Sequence, residues 1–264
     1  MHRRTFTLGL LAASLLGSLW ALPAKAERLA SIKQAGIIKI AIPADFPPFG
    51  STGPDMKPQG YDIDTAELIG RELKVKVELV PVSSANRIAY LTTGKADLLI
   101  SSLGKNPERE KVINFSVAYA PFFNGVFGTK DLTLDKPEGL AGKTVGVTRG
   151  SIEDLELSKV IPASANLKRF EDNNATIAAY LAGQVQVVAT GNVVAATINA
   201  QSKRPRRLEQ KFLIKNSPCF VGVNKDDPQL LEQVNQIINK AKKDGELNRI
   251  SLKWLKTPLA SALL

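Results

Sequence analysis

The residues best suited to chemistry lie between positions 94 and 119, in GKADLLISSLGKNPEREKVINFSVAY. Leu98, Leu99 and Ile100 make a short apolar run of the kind a buried parallel strand shows, and Ser101 and Ser102 follow at its carboxyl end. Ligands of open α/β sheets bind outside the carboxyl ends of the strands, so two hydroxyls there, with the free amides of the loop through Gly104, can donate to an anion. Pro107 suits a first helical position, Asn106 an N-cap, and Glu108 and Glu110 the positive end of the helix dipole. Local structure thus sets Arg109 beside the loop, where its planar fork can grip a carboxylate through two parallel hydrogen bonds. On the residues alone, an exposed salt bridge is the commoner fate of an arginine among glutamates.

A larger set of elements has to position that segment. Strand and helix patterns alternate along the chain, which implies βαβ units and largely parallel sheets. Residues 37–42 read as a strand, 65–73 as a helix, 75–80 as a strand and 88–93 as a helix; the strand into Ser101 and a helix from Pro107 follow. Residues 142–147 read as a new first strand, with a glycine turn at Gly150 and a helix from Ile152, so a second lobe begins there. Strands at 167–170 and 185–189 and helices at 175–182 and 193–201 continue it. The last helices, 228–243 and 246–254, are amphipathic, with Leu230, Leu231, Val234, Ile237 and Ile238 on one face.

Segment 94–119 resembles the strand, loop and arginine of the periplasmic solute-binding proteins of polar amino acid ABC transporters, bacterial extracellular solute-binding protein family 3. The resemblance continues in IPADFPPFG (42–50), GYDIDTAELIGREL (60–73), LAGKTVGVTRGS (140–151) and the tail DDPQLLEQVNQIINKAKKDGELNRISLKWL (226–255), all in the family's order. It implies an α/β, two-lobed periplasmic binding protein fold of type II, each lobe a mostly parallel sheet flanked by helices. Lobe 1 would comprise residues 27–122 and 221–264, and lobe 2 residues 123–220, with a two-stranded hinge near 120–127 and 215–221. It further implies that Arg109 holds a ligand's α-carboxylate, and that the ligand closes the lobes because the closed state binds it better. The expected role is capture of a polar amino acid or related small carboxylate and delivery to an inner-membrane ABC permease, by a monomer with no cofactor and no metal.

The same resemblance and the local chemistry mark further candidates. Phe46, after the first strand, would wall the ligand's aliphatic stem, whereas Phe49 reads as core. The facing wall in relatives is often aromatic but here falls to Ser84, and Asn86 or Arg87 can either reach in to read a polar side chain or face solvent. Gly150 and Ser151 form a turn at a helix start that suits a carboxylate, and Ile152 stands where many relatives have threonine. Many relatives carry an aspartate for the α-ammonium after the strand that follows a later glycine turn, here at Gly183, but residues 183–192 (GQVQVVATGN) contain no acid. Asn192 and Thr190 offer dipoles in its place, and Glu153 offers a charge, though a glutamate there is also a good dipole partner. A carboxylate lacking an α-amino group is therefore one alternative ligand, and a secreted enzyme resembling cyclohexadienyl dehydratases is an alternative function, disfavoured by the scarcity of acid–base groups.

Bulk properties narrow the classes. Arg3 and Arg4, the apolar stretch 8–22 and Ala24-Lys25-Ala26 read as a cleaved secretory signal over residues 1–26, with no cysteine for a lipid anchor, so the expected location is the periplasm. Without it, 32 of the 35 basic and all 25 acidic residues remain, a net charge of +7. That charge and Lys203-Arg204-Pro205-Arg206-Arg207 would favour nucleic acid only with aromatic residues interleaved to stack bases, and there are none. A lone cysteine, Cys219, among Pro218, Phe220 and Val221 reads as a buried thiol, and His2 leaves with the signal.

Overall fold

The computed structural model describes residues 27–201, 207–259 and 263. The expected signal at residues 1–26 and most of the basic cluster at 203–207 lie outside them. The chain begins α1 (Arg28–Ala35), β1 (Ile37–Pro43), the short pair β2 (Ser51–Thr52) and β3 (Pro58–Gln59), α2 (Tyr61–Leu73), β4 (Lys76–Val82) and α3 (Arg87–Thr92). Next come β5 (Leu98–Leu103), α4 (Pro107–Glu110) and β6 (Ile113–Ala120). After Pro121 and Phe122 it continues with β7 (Phe123–Gly128), β8 (Thr144–Thr148), α5 (Ile152–Leu157), β9 (Asn166–Phe170), α6 (Asn173–Leu181), β10 (Val187–Gly191), α7 (Asn192–Gln201) and β11 (Glu209–Asn216). It ends with β12 (Cys219–Asn224), α8 (Pro228–Lys243) and α9 (Glu246–Leu255).

Two five-stranded sheets result, ordered β4-β1-β5-β12-β6 and β11-β7-β10-β8-β9, and each centres one lobe. They are mixed rather than mostly parallel. The strands joined by βαβ crossovers pair in parallel, β1 with β4 and β5, and β8 with β9 and β10. The strands that cross between lobes add antiparallel pairings, because each enters its sheet from the opposite direction. Cys219 and Phe220 already pair with Ala120 and Ala118 in the first sheet, so the second crossing falls at Ser217 and Pro218, ahead of the expected change of lobe after residue 220. The helix expected from Pro107 is a single turn, because the chain is paired again in β6 from Ile113.

Apolar periodicity accounts for the packing. In lobe 1, Ile38, Ile40 and Ile42 of β1 meet Leu68 and Ile69 of α2 and Leu230, Val234, Ile237 and Ile238 of α8 in one buried cluster. Each such side chain contributes roughly 1.5–3 kcal/mol when fully buried, which ties the carboxyl-terminal helices to the first lobe. Lobe 2 is covered on both faces: Val145, Val147, Val187 and Ala189 pack with Leu157 of α5, and Phe127 and Val188 with Tyr180 of α6 and Ala195 of α7.

Candidate functional site

The end of β5 leaves its ladder. Between the pairs Leu99–Gly222 and Leu103–Phe220, β5 advances four residues while β12 advances two, so residues 100–102 bulge out. Ser102 there has φ +41°, a conformation that costs a non-glycine residue on the order of 1 kcal/mol or more. Buried charges hold the bulge on both sides. The Ser102 N–H donates to Asp62 Oδ2 at 2.7 Å, and the Tyr119 hydroxyl donates to Asp62 Oδ1 at 2.5 Å. From the other side Arg87 Nη1 donates to the Ser101 carbonyl at 2.7 Å.

Arg109 is fixed where the lobes meet. Asn106 caps α4, its Oδ1 accepting from the Arg109 N–H at 2.9 Å. The guanidinium donates from Nη1 to the Gly104 carbonyl at 2.6 Å and from Nη2 to the Gly150 carbonyl of lobe 2 at 3.0 Å. Only 5 % of the residue is exposed, and burial together with the Arg87 charge pushes its pKa down to about 9, so it stays cationic at neutral pH. Two buried cations side by side favour an anion between them. Glu153 of α5 supplies one charge facing both; burial is the largest influence on its carboxyl and raises its pKa.

The lobes close tightly around these groups. A Cβ at Gly104 would lie 2.6 Å from Ser217 Oγ and 3.2 Å from the Ile152 side chain. Gly150, at φ +70°, leaves 3.0 Å from its Cβ position to Ala85 Cα and 3.3 Å to the Ser84 carbonyl, so the loop bearing Ser84 abuts the turn before α5. Ser151 caps that helix, its Oγ accepting from the Asp154 N–H at 3.1 Å. At the mouth, Asp45 Oδ2 accepts from the Asn173 N–H at 2.6 Å.

The structure therefore brings Arg87, Ser101, Ser102, Gly104, Arg109, Ser151, Ile152 and Glu153 together, with Ser84 at the rim. Arg87 is buried rather than solvated. Phe46 is half-buried and spends its ring on Phe49 and Phe122, with centroids 6.1 and 6.0 Å away. Asn192 is not brought into this group: its Oδ1 accepts from the Phe123 N–H at 3.3 Å, and it lines an apolar groove behind the crossing strands with Pro121, Val193 and Leu255. Thr190 is buried, with its hydroxyl unpaired among the described residues. Sequence reasoning missed Asp62, Asn124 and Ser217. Asn124 is fully buried with both amide atoms unpaired among the described residues, and its one signal was an amide inside the apolar run FFNGVF.

Asp62 carries a testable pH dependence. Burial pushes it up to about 7 from the ordinary 3.8, so the folded chain holds this proton more tightly than the unfolded chain. Its contribution is fully present below about pH 4 and is lost as pH rises through about 7. Urea unfolding should show wild type losing stability between those limits, relative to Asp62→Asn, by on the order of a few kcal/mol. Parallel profiles for the two proteins would remove Asp62 as the source.

Among the described residues no cluster of three histidines, cysteines or acids is placed to hold a metal, and no helix is long and apolar enough to cross a membrane. Residues 38–257 match the family model of the bacterial extracellular solute-binding proteins, family 3. The ABC transporter glutamine-binding protein of Bacillus subtilis is 26% identical over 237 residues, covering 88% of this chain and 86% of its own. Among solved structures, the P235GK mutant of ArgBP from T. maritima superposes with a TM-score of 0.81 at 28% identity, covering 87% of this chain and 99% of that one. The ancestral amino acid-binding protein AncCDT-1, a precursor of cyclohexadienyl dehydratase, gives 0.79 at 28% identity, covering 86% and 99%.

Proposed function

Because the chain belongs to the bacterial extracellular solute-binding proteins, family 3, we propose that it is the capture component of an ABC importer for a polar amino acid or closely related small carboxylate. The observation that carries this reading is Arg109, a buried cation at the carboxyl end of a bulged strand, bonded to Gly104 of one lobe and Gly150 of the other. In this reading a carboxylate exchanges with one of those carbonyls and takes the guanidinium fork, while the Gly104 amide and the hydroxyls of Ser101, Ser102 and Ser151 complete its shell. Arg87 then reads a polar group on the ligand's side chain, Phe46 and Ile152 bound the aliphatic stem, and Thr190 and Asn124 supply neutral dipoles.

The remaining assignments follow the same reading. Residues 1–26 direct export and are removed, the mature chain works as a monomer in the periplasm, residues 27–122 and the returning tail form lobe 1, and the closed lobes dock on an inner-membrane permease. A thermal-melting screen of the twenty amino acids tests the core of it. At about a hundred times its dissociation constant, a ligand of the folded state adds roughly 2.7 kcal/mol, and at least one amino acid should raise the melting temperature accordingly. No shift with any of them at millimolar concentration would overturn the reading.

One observation favours a second function. Glu153 is a buried carboxyl with a raised pKa beside two cations, the setting in which a general acid is found, and a dehydratase precursor is among the structural neighbours. Turnover of prephenate or arogenate by the purified protein would establish the enzyme and displace the transport role.

A further inference from the structure

Several carboxylates meet where the lobes join, and among the described residues all but one have no buried oxygen left without a partner. Asp62 accepts from Ser102 and Tyr119, and Asp45 from the Asn173 and Asn174 N–H groups. Asp154 accepts from the Gly150 N–H, the Ser158 hydroxyl and Arg169 Nε. Glu156 meets Asn106 Nδ2, Lys159 and Lys215. Glu153 is 3 % exposed, and its Oε1 is buried with no partner among the described residues.

A buried carboxylate oxygen left unpaired costs several kcal/mol, so it needs a cation or a proton. Of the nearby cations, Arg87 gives Nη1 to Ser101 and Arg109 gives both Nη atoms to Gly104 and Gly150, while Arg87 Nε is buried with no hydrogen-bond partner among the described residues. Neither forms an ion pair with Glu153. The end of β10, the other place from which lobe 2 could offer an acid, is closed to one. A Cβ at Gly191 would lie 1.9 Å from Phe122 Cζ, and Asn192 Oδ1 already accepts from the Phe123 N–H.

We propose that Glu153 is the acid that meets a ligand's α-ammonium, so that the captured molecule is a true amino acid held by its carboxylate on Arg109 and by its ammonium on Glu153. This rests on the capture reading above. Arg109 belongs to lobe 1 and Glu153 to lobe 2, so a ligand bearing both charges bonds each lobe and binds the closed state better than the open one. A ligand with the carboxylate alone leaves Glu153 to take up a proton in its buried position, which its raised pKa permits at a cost in affinity. The charged or titratable groups that face Glu153 are Arg87 from α3, Arg109 from α4 and Cys219 from β12.

The probes are L-glutamine, L-glutamate and L-arginine, each measured by calorimetry beside its deaminated counterpart: glutaramate, glutarate and 5-guanidinopentanoate. Wild type should prefer the amino member of at least one pair at least tenfold, and Glu153→Gln should narrow that preference to within about threefold while keeping affinity for the deaminated member. Should the variant not fold, the wild-type preference is followed from pH 8 to pH 4. Protonation of Glu153 should collapse it on the acid side, whereas recognition by neutral dipoles gives a flat profile and overturns the assignment. A preference that survives Glu153→Gln overturns it too. Wild type that binds deaminated members as tightly as amino ones overturns the assignment but leaves carboxylate capture standing, and wild type that binds none of the six and shows no shift with any of the twenty amino acids overturns both.

Discussion

Arg109→Ala should erase the thermal shift that an amino acid produces in the wild-type protein. Arg109 is 5 % exposed, and truncating one partner of a buried, hydrogen-bonded charge pair costs about 2–5 kcal/mol of binding. A ligand supplied at a hundred times the wild-type dissociation constant adds only about 2.7 kcal/mol to stability, so a loss of that size removes most or all of the shift. The unliganded protein should weaken as well. The carbonyls of Gly104 and Gly150 both lose their donor, and each group left unsatisfied costs about 1–3 kcal/mol where no water replaces it. The Gly150 bond spans the lobes, so small-angle scattering should find the unliganded variant more open than wild type. Arg109→Lys separates charge from geometry: a point charge without the planar fork should restore part of the affinity and little of the closure. Wild-type affinity in Arg109→Ala would sink the carboxylate clamp.

The features legible in the sequence were those fixed by short-range chemistry. The serines after a buried strand, the Asn106 cap and the proline at the helix start placed Arg109 without reference to the rest of the chain, and Oδ1 of Asn106 does accept from the Arg109 N–H. The apolar face of α8 was equally readable, because one helical period carries Leu230, Val234 and Ile237. Long-range pairing was not. The bulge at Ser102 exists because β12, more than a hundred residues later, pairs with β5 out of step, and no local pattern announces it. Asp62 acquires its role only when α2 packs beside that bulge and Tyr119 reaches it from β6. Asn192 stands apart from the other candidates for a related reason: its amide is at a helix start that could serve a ligand, but the crossing strand presents it with the Phe123 N–H.

Gly191→Asp, which would put an acid at the end of β10, should cost the fold instead of adding affinity. The new Cβ would lie within 1.9, 2.4 and 2.9 Å of three atoms of the Phe122 ring. That ring cannot swing aside cheaply, since it packs edge-on to Phe49 at 5.4 Å and against Phe46 at 6.0 Å, and its own carbonyl accepts from the Ser217 N–H at the second crossing. Overpacking of this kind costs about 1–3 kcal/mol, and a carboxylate buried among aromatic rings with no cation beside it adds several more. Against a total stability of about 5–15 kcal/mol, urea unfolding should find the variant largely destabilised at 25 °C. Phe122→Ala alone leaves a cavity worth about 3–5 kcal/mol, but combined with Gly191→Asp it also removes the clash, so the double variant should be more stable than the sum of the two losses allows. Strict additivity would show that the ring and the new side chain do not collide. Coupling between them would show why this chain has no acid at the end of β10: the space beside Gly191 belongs to the aromatic cluster at the crossing, so a negative charge for the ligand has to come from another element, and the start of α5 presents Glu153.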